Sequence, residues 1–254
     1  MLLAVDIGNT DTKVGVFDGS GLVARWAVHS DLNRTRAEYQ DVLLALLRYH
    51  GAGPIRDAVL GSVVPMLTPV LAEALAAVAD RPPVVVRSEA VPGIRLWVDA
   101  PGQVGVDRVA NAYAVRTYYG GPAIVADFGS ATTFDVVDAA GDLRGALIAP
   151  GMHTSARALT AAGAQLPAFR VERPARLVGV NTVGAMQSGV YWGYVHMVRG
   201  VIGHLRDELG AGYRAIATGG LAPGLVEDAR IFDIVDPDIT LKGLAAIHTA
   251  LAAA

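Results

Sequence analysis

The sequence predicts an α/β protein made of two duplicated lobes, each a mixed sheet flanked by helices. An acidic glycine turn occurs twice, as Asp6-Ile7-Gly8-Asn9-Thr10 and as Asp127-Phe128-Gly129-Ser130-Ala131-Thr132-Thr133, close to half of the 254-residue chain apart. Each copy follows a short apolar run, Leu2 to Val5 or Ala123 to Ala126, and precedes a second run closed by a turn. After each copy the hairpin-like pattern gives way to alternating helix and strand, the pattern of a mixed sheet covered by helices. One such turn alone reads more readily as an Asx-type hairpin turn, because Asp, Gly, Asn and Thr are ordinary turn residues. Its repetition favours a duplicated domain with both carboxylates facing one cleft, the lobes spanning 1–118 and 119–254.

The elements follow in order. Leu2 to Val5, Lys13 to Phe17 and Leu22 to Val28 read as three strands joined by tight turns. Thr35 and Glu38 form a capping-box pattern ahead of Tyr39, Val42, Leu43, Leu46 and Leu47, which recur at helical spacing up to Gly51. Ala58 to Val63 is a buried strand, Thr68-Pro69 opens a second helix, and Val84 to Val86 is a further strand. A helix runs from Asp107 to about Tyr119, where Gly120-Gly121-Pro122 stops it. The second half repeats the plan with strands at Ala123 to Ala126, Thr133 to Val137 and Leu143 to Ile148, then a helix from about Thr154. Asn181 caps a long helical pattern from Thr182 to about Leu209 that contains Gly184, Gly189, Gly193, Gly200 and Gly203. Each of these glycines weakens a lone helix by about 0.8–1.0 kcal/mol relative to Ala, so a close neighbour, from this chain or a second subunit, has to compensate. The bland alternative is a kinked core helix. Ala215 to Thr218 is a strand leading into Gly219-Gly220, and a last helix runs from Thr240 to about Ala253.

Composition narrows the chemistry. With 52% hydrophobic and 18% charged residues the chain is a compact globular protein with a sizeable core. A net charge of −3, only Lys13 and Lys242 as lysines, and no basic run with interleaved aromatics speak against nucleic acid as a partner. The absence of cysteine removes disulfides, thiolate metal sites and thiol nucleophiles together. No apolar stretch is long enough to span a membrane and no leader pattern opens the chain, so the cytoplasm is the expected location. A P-loop is missing, no Gly-x-Gly-x-x-Gly follows a strand, and the six histidines form no His-Glu-x-x-His pattern.

What remains are three glycine turns after strands, at residues 6–10, 127–133 and 218–220. Glycine lets the backbone approach a ligand, and the amides and hydroxyls beyond it donate to phosphate oxygens. A carboxylate at the strand end can hold hydrated Mg²⁺, which takes one or two carboxylates plus phosphate oxygens and water. The first two turns suit phosphates and the third a flat base or ribose, converging on a crevice at strand carboxyl ends.

This constellation resembles the superfamily of acetate and sugar kinases, Hsp70 and actin, whose ribonuclease-H-like (actin-like ATPase) lobes bind ATP between two acidic phosphate turns. The segment Gly105-Val106-Asp107-Arg108, with Asn111 after it, looks like the Gly-x-Asp-Arg segment of type III pantothenate kinases. Further matches run the whole chain in order: Ser62-Val63-Val64-Pro65, Ala149-Pro150-Gly151, Leu166-Pro167, Asn181-Thr182-Val183, Ala217-Thr218-Gly219-Gly220 and Val235-Asp236-Pro237.

The resemblance implies transfer of the γ-phosphoryl group of ATP to the primary hydroxyl of pantothenate. It implies Asp107 as the general base, with Gly105, Val106, Asp107, Arg108 and Thr182 at the substrate. Without that resemblance, Asp107 reads equally as a helix N-terminal carboxylate favoured by the dipole, and the two roles are compatible. The resemblance further implies that Asp6, Ile7, Gly8, Asn9, Thr10, Asp11, Thr12 and Lys13 hold ATP phosphates together with Ser130. Asp6 would bind Mg²⁺ through water and Asp127 a monovalent cation, K⁺ or NH₄⁺. The family forms homodimers with a site near the subunit interface, which makes the glycine-rich helix an interface candidate.

The chain departs from the family pattern mostly on the acceptor side and in the dimer region. Val98 stands where a substrate-contacting Tyr is usual, and Ala100, Gly102 and Gln103 replace Asn, Arg and Glu. Ala146, Arg157, Ala162, Gln165 and Val180 replace Gly, Glu, Arg, Lys and Lys, while Asp11 and Ser130 replace Asn and Thr in the phosphate turns. Two alternatives therefore stay open: a kinase of the same fold acting on another small alcohol, and a non-catalytic ATP-binding accessory protein.

Overall fold

The structure is a computed structural model that describes every residue except Ser20, Ala164, Gln165 and Ala254, so the departure at Gln165 lies outside the described residues. It divides into two compact units. The first comprises Met1–Gly120, Gly141–Leu143 and the chain from Asp238 onward, and the second comprises Gly121–Ala140 and Arg144–Pro237.

In the first unit, β1 (Leu2–Ile7), β2 (Asp11–Asp18), β3 (Gly21–His29), β4 (Asp57–Ser62) and β5 (Val84–Val85) form one sheet in the order β3-β2-β1-β4-β5. β1 pairs antiparallel with β2 and parallel with β4, which pairs parallel with β5. Alternation along β1 sends Leu3, Val5 and Ile7 to one face, where they meet Tyr39, Leu43 and Leu47 of α1 (Arg36–His50) and Leu71, Ala74 and Leu75 of α2 (Thr68–Ala76). The capping box forms as predicted: Thr35 Oγ1 accepts from Glu38 N at 3.4 Å, and the Glu38 carboxylate accepts from Thr35 N at 2.7 Å. α3 (Val106–Ala114) continues as one wider turn, Val115–Tyr119, closed by Gly120 N donating to Val115 O at 2.8 Å.

The second unit repeats this topology. β6 (Ala123–Phe128), β7 (Ala131–Val137), β8 (Leu143–Pro150), β9 (Arg214–Thr218) and β10 (Ile234–Val235) stand in the order β10-β9-β6-β7-β8, the same order read from the other end. β6 again pairs antiparallel with its successor and parallel with β9. Two duplicated five-stranded mixed sheets with flanking helices are the fold class the sequence predicts. α4 (Met152–Ala162), α5 (Thr182–Leu209) and α6 (Ala222–Ala229) accompany the sheet, and Tyr191, Tyr194, Val198 and Ile202 of α5 pack on Ile124, Ala126, Phe128, Phe134 and Ala217. Arg173 grips the Asp228 carboxylate with two bonds of 2.7 and 3.1 Å, and Tyr191 OH donates to it at 2.7 Å, tying the irregular segment before α5 to α5 and α6. The Arg173 hydrogen bond, followed by that of Tyr191, holds the Asp228 carboxyl below its ordinary range.

The last helix, α7 (Ile239–Ala253), packs against α3, β1 and β4 of the first unit. Ile239, Leu241, Gly243, Leu244, Ala245 and Ile247 of α7 are all buried, and a helix apolar around so much of its circumference needs a sheet and a second helix to cover it. Of the glycines of α5, Gly184 lies against Gly179, whose Cα is 3.6 Å from where a Gly184 Cβ would stand, whereas beside Gly189, Gly193, Gly200 and Gly203 the space a Cβ would enter is open. Other than Gly203, which is half-buried, these lie on the exposed side of a continuous 28-residue helix, opposite the buried tyrosines.

Candidate active site

The first acidic turn connects β1 to β2. Asp6 is buried at 5% exposure, its Cα pairs with that of Lys13 across the strands, and Lys13 Nζ stands 3.9 Å from Asp6 Oδ2. Gly8 N donates to Asp11 O at 3.1 Å, and a Cβ at Gly8 would stand 2.9 Å from that same oxygen, so the loop closes this tightly only around glycine. Ser30 clamps the turn from β3: its Oγ donates to Gly8 O at 2.7 Å, its N donates to Thr10 O at 2.9 Å, and Thr12 Oγ1 lies 2.9 Å from its Oγ. Ile7 and Thr12 send their side chains into the interior, which leaves Gly8, Asn9, Thr10 and Asp11 as the accessible rim. Asp11 faces His29 across β2 and β3, with His29 Nδ1 4.0 Å from Asp11 Oδ1. Ser30 carries no motif of its own, and only the pairing of β2 with β3 brings it to the turn.

The segment carrying Asp107 is joined to this turn through Val63. Val63 N donates to Ile7 O at 3.0 Å, and Val63 Cγ1 lies 3.2 Å from where a Gly105 Cβ would stand. Gly105 caps α3 and Asp107 lies in the helix's first turn. Asp107 Oδ1 accepts from Arg108 N at 2.9 Å and rests against Gly105 so closely that a Cβ there would be 2.3 Å away. Gly105 is therefore required by the position of the Asp107 carboxylate, and Val63 is the residue that meets both Gly105 and the strand entering the 6–13 turn.

The second turn has the same plan with different chemistry. Gly129 N donates to Ala131 O at 3.1 Å, and Asp127 pairs across the strands with Thr133, where the first copy has Lys13. Among the described residues no hydrogen-bond or ion-pair partner is found for Asp127. Gly219, at φ +91°, presses its backbone on this turn; a Cβ there would stand 2.6 Å from Phe128 N and 2.7 Å from Asp127 Oδ1. The third glycine turn thus approaches the second one, while Gly220 faces open space. Exposed Ser130 gives its carbonyl to Gly151 N at 3.2 Å and Thr154 Oγ1 at 2.8 Å, which seats the start of α4 against the turn. Beneath it Thr132 hydrogen-bonds Tyr194, whose phenol is pushed up to about 12, mainly by burial and further by the Asp127 charge. Thr182 is exposed in the first turn of α5, whose cap Asn181 Oδ1 accepts from Gly184 N at 2.8 Å.

A cavity of about 730 Å³ opens beside Gly105 and Val106, walled also by Ser62, Val63, Arg87 and Gln103. Two of the segments singled out in the sequence, Ser62-Val63-Val64-Pro65 and Gly105-Val106, contribute to its wall, whereas Arg87 and Gln103 belong to no such match. Among the described residues no group of three or more His, Cys, Asp or Glu side chains could hold a metal ion, and no helix is long and apolar enough to cross a membrane.

The sequence model of the family described as type III pantothenate kinase matches residues 2–204. A type III pantothenate kinase of Dehalococcoides mccartyi is 43% identical over 249 residues, covering 97% of this chain and 96% of that protein. Another, from Moorella thermoacetica, is 42% identical over 250 residues, 98% of each. Among solved structures, the activator of the 2-hydroxyisocaproyl-CoA dehydratase from Clostridium difficile, with bound ADPNP, superposes with a TM-score of 0.56 at 15% identity. It covers 99% of this chain and 96% of that one, and at that identity the likeness is one of fold.

Proposed function

The chain belongs to the type III pantothenate kinase family, and from that membership we propose that it transfers the γ-phosphoryl group of ATP to the primary hydroxyl of pantothenate, the first step of coenzyme A synthesis. The observation that supports the chemistry most directly is the placement of Asp107, its carboxylate held against Gly105 and joined through Val63 to the glycine turn at residues 6–13. The acceptor oxygen bonds to phosphorus as the bond from phosphorus to the β,γ-bridging oxygen breaks, and ADP leaves. Asp107 orients the hydroxyl and takes its proton. Because the transition state is loose, positioning and charge neutralisation matter more than basicity, so an ordinary carboxylate suffices.

Kinases of this family use ATP and a divalent metal, and the turn fits them. Gly8 leaves no Cβ in the loop, and Asn9, Thr10 and Asp11 offer accessible groups to phosphates beside Asp6 and Lys13. With no all-protein cage among the described residues, a divalent ion here depends on phosphate oxygens and water for most of its ligands, which is how Mg²⁺ is usually held. When bound it offsets charge on the phosphates. Ser130 is the corresponding hydroxyl of the second turn, and we assign the monovalent cation, K⁺ or NH₄⁺, to Asp127, which faces Thr133 where Asp6 faces an ammonium. Arg108 and Thr182 are assigned to the acceptor. A coupled assay with pantothenate, Mg²⁺-ATP and K⁺ is expected to show turnover that falls when K⁺ is replaced by a large organic cation. No turnover of pantothenate, with activity on another small alcohol, would overturn the assignment of the acceptor.

A homodimer is part of the same reading. Leu177, Val178 and Val180 are 70, 76 and 79% exposed directly before α5, and the exposed glycine side of that helix has room for a second backbone. Sedimentation equilibrium is expected to give twice the chain mass, and Val180→Glu with Val178→Glu to shift the protein toward monomer. A wild-type monomer at micromolar concentration would exclude this arrangement.

A further inference from the structure

Resting on the pantothenate reading, we infer that Arg87 recognises the carboxylate of the acceptor, so that the cavity beside Gly105 takes the acid arm of the substrate while its hydroxyl end faces Asp107.

The cavity lies wholly within the first unit, at the carboxyl ends of β4 and β5, and Gly105 forms part of its wall. The same glycine carries the Asp107 carboxylate on its Cα. A molecule whose hydroxyl reaches Asp107 therefore has this space beside it for the rest of its length.

Most polar groups of the wall are already spent. Ser62 Oγ accepts from Val64 N at 3.1 Å and from Thr68 Oγ1 at 2.8 Å, and Ser88 Oγ donates to Val104 O at 2.6 Å. Arg87 is different: it follows β5, lies exposed on the cavity wall, and its guanidinium has no ion-pair or side-chain hydrogen-bond partner among the described residues. A guanidinium presents a planar fork of donors matched to a carboxylate, a geometry a lysine does not reproduce. Gly102, which also lines the cavity, has nothing within 4 Å of a Cβ position, so the space beside it is not filled by protein. Glu89 shares the wall, but it accepts only and repels a carboxylate, so it limits the attraction and cannot replace it.

Pantothenate and pantothenol share the reacting hydroxyl and the amide arm, and differ in having a carboxylate or an alcohol at the far end. With wild-type enzyme, KM is expected to be at least tenfold lower for pantothenate than for pantothenol. Arg87→Met is expected to raise KM for pantothenate about tenfold or more, with kcat within about twofold, and to leave both constants for pantothenol nearly unchanged. Arg87→Lys, which keeps the charge and loses the fork, should fall between the two, and it serves as the probe if the Met variant does not fold. Equal effects of Arg87→Met on both substrates, or none on pantothenate, would overturn the inference, as would Glu89→Gln raising KM for pantothenate as much as Arg87→Met. If wild-type enzyme turned over neither compound, the parent assignment of the acceptor would fail, which is a distinct result from turnover that is indifferent to Arg87.

Discussion

Asp107→Asn is expected to leave the chain folded and to lower kcat for pantothenate phosphorylation about 10³-fold, within the range general-base groups contribute. The substitution is nearly isosteric. The Asn oxygen can still accept from Arg108 N, the bond that Oδ1 makes at 2.9 Å, so the start of α3 keeps its local geometry. What disappears is the capacity to accept a proton, together with a helix N-terminal charge worth about 0.3–1 kcal/mol of stability. KM for pantothenate should change only a few-fold, because the amide still orients the hydroxyl. Gly105→Ala tests the same geometry from the other side. Its Cβ would stand 2.3 Å from Asp107 Oδ1, so the carboxylate must move, and kcat should fall although no titratable group has been touched. Unchanged kcat in Asp107→Asn, with melting temperature also unchanged, would return Asp107 to the purely structural role its place in the helix allows.

Much of this arrangement is legible in the sequence because it is written in short-range signals. The capping box at Thr35 and Glu38, Asn181 as a cap, and the alternation in β1 and β2 are local patterns, and the elements form where those patterns place them. The duplication is legible because a repeated turn fixes two sheets of the same strand order. Long-range partners are not. That Ser30 clamps the first turn, that Gly219 touches Asp127, and that Val63 links Ile7 to Gly105 all depend on register between strands distant in the chain. β10 and α6 leave weak signals: the strand has two residues, and Pro223 and Gly224 interrupt the apolar pattern of the helix. The two glycine turns also show why similarity in sequence does not fix similarity in role. Opposite Asp6 stands Lys13 and opposite Asp127 stands Thr133, and it is on this cross-strand difference that the proposed assignment of a different cation to each carboxylate rests.

The packing of α7 on the first unit leads to the largest effect on stability expected from a single methyl group. A Cβ at Gly243 would stand 1.9 Å from Ala110 O, 2.5 Å from Ala110 C and 3.0 Å from Ala110 Cα, all backbone atoms of α3. No side-chain rotation relieves a clash with backbone, so Gly243→Ala forces the two helices apart. Overpacking of this kind costs about 1–3 kcal/mol and occasionally more, and the better helix propensity of Ala, about 1 kcal/mol, offsets only part of it where the contact is this short. A net loss of about 2 kcal/mol is expected by urea unfolding. The effect should also reach the chemistry. α7 holds α3 through Thr240 Oγ1, which donates to the buried Asn111 Oδ1 at 2.9 Å, and Leu244 and Val106 close together over Gly61, where a Cβ would lie 2.9 Å and 3.0 Å from them. Asn111 lies one turn beyond Asp107 on α3, so displacing α7 moves the segment that positions the base. Gly243→Ala should therefore also lower kcat. Gly224→Ala in α6, where nothing lies within 4 Å, is the control and should be neutral or slightly stabilising. Stability within 0.5 kcal/mol of wild type in Gly243→Ala, an error-sized change against the cost of overpacking, would mean that α7 and α3 do not meet as described.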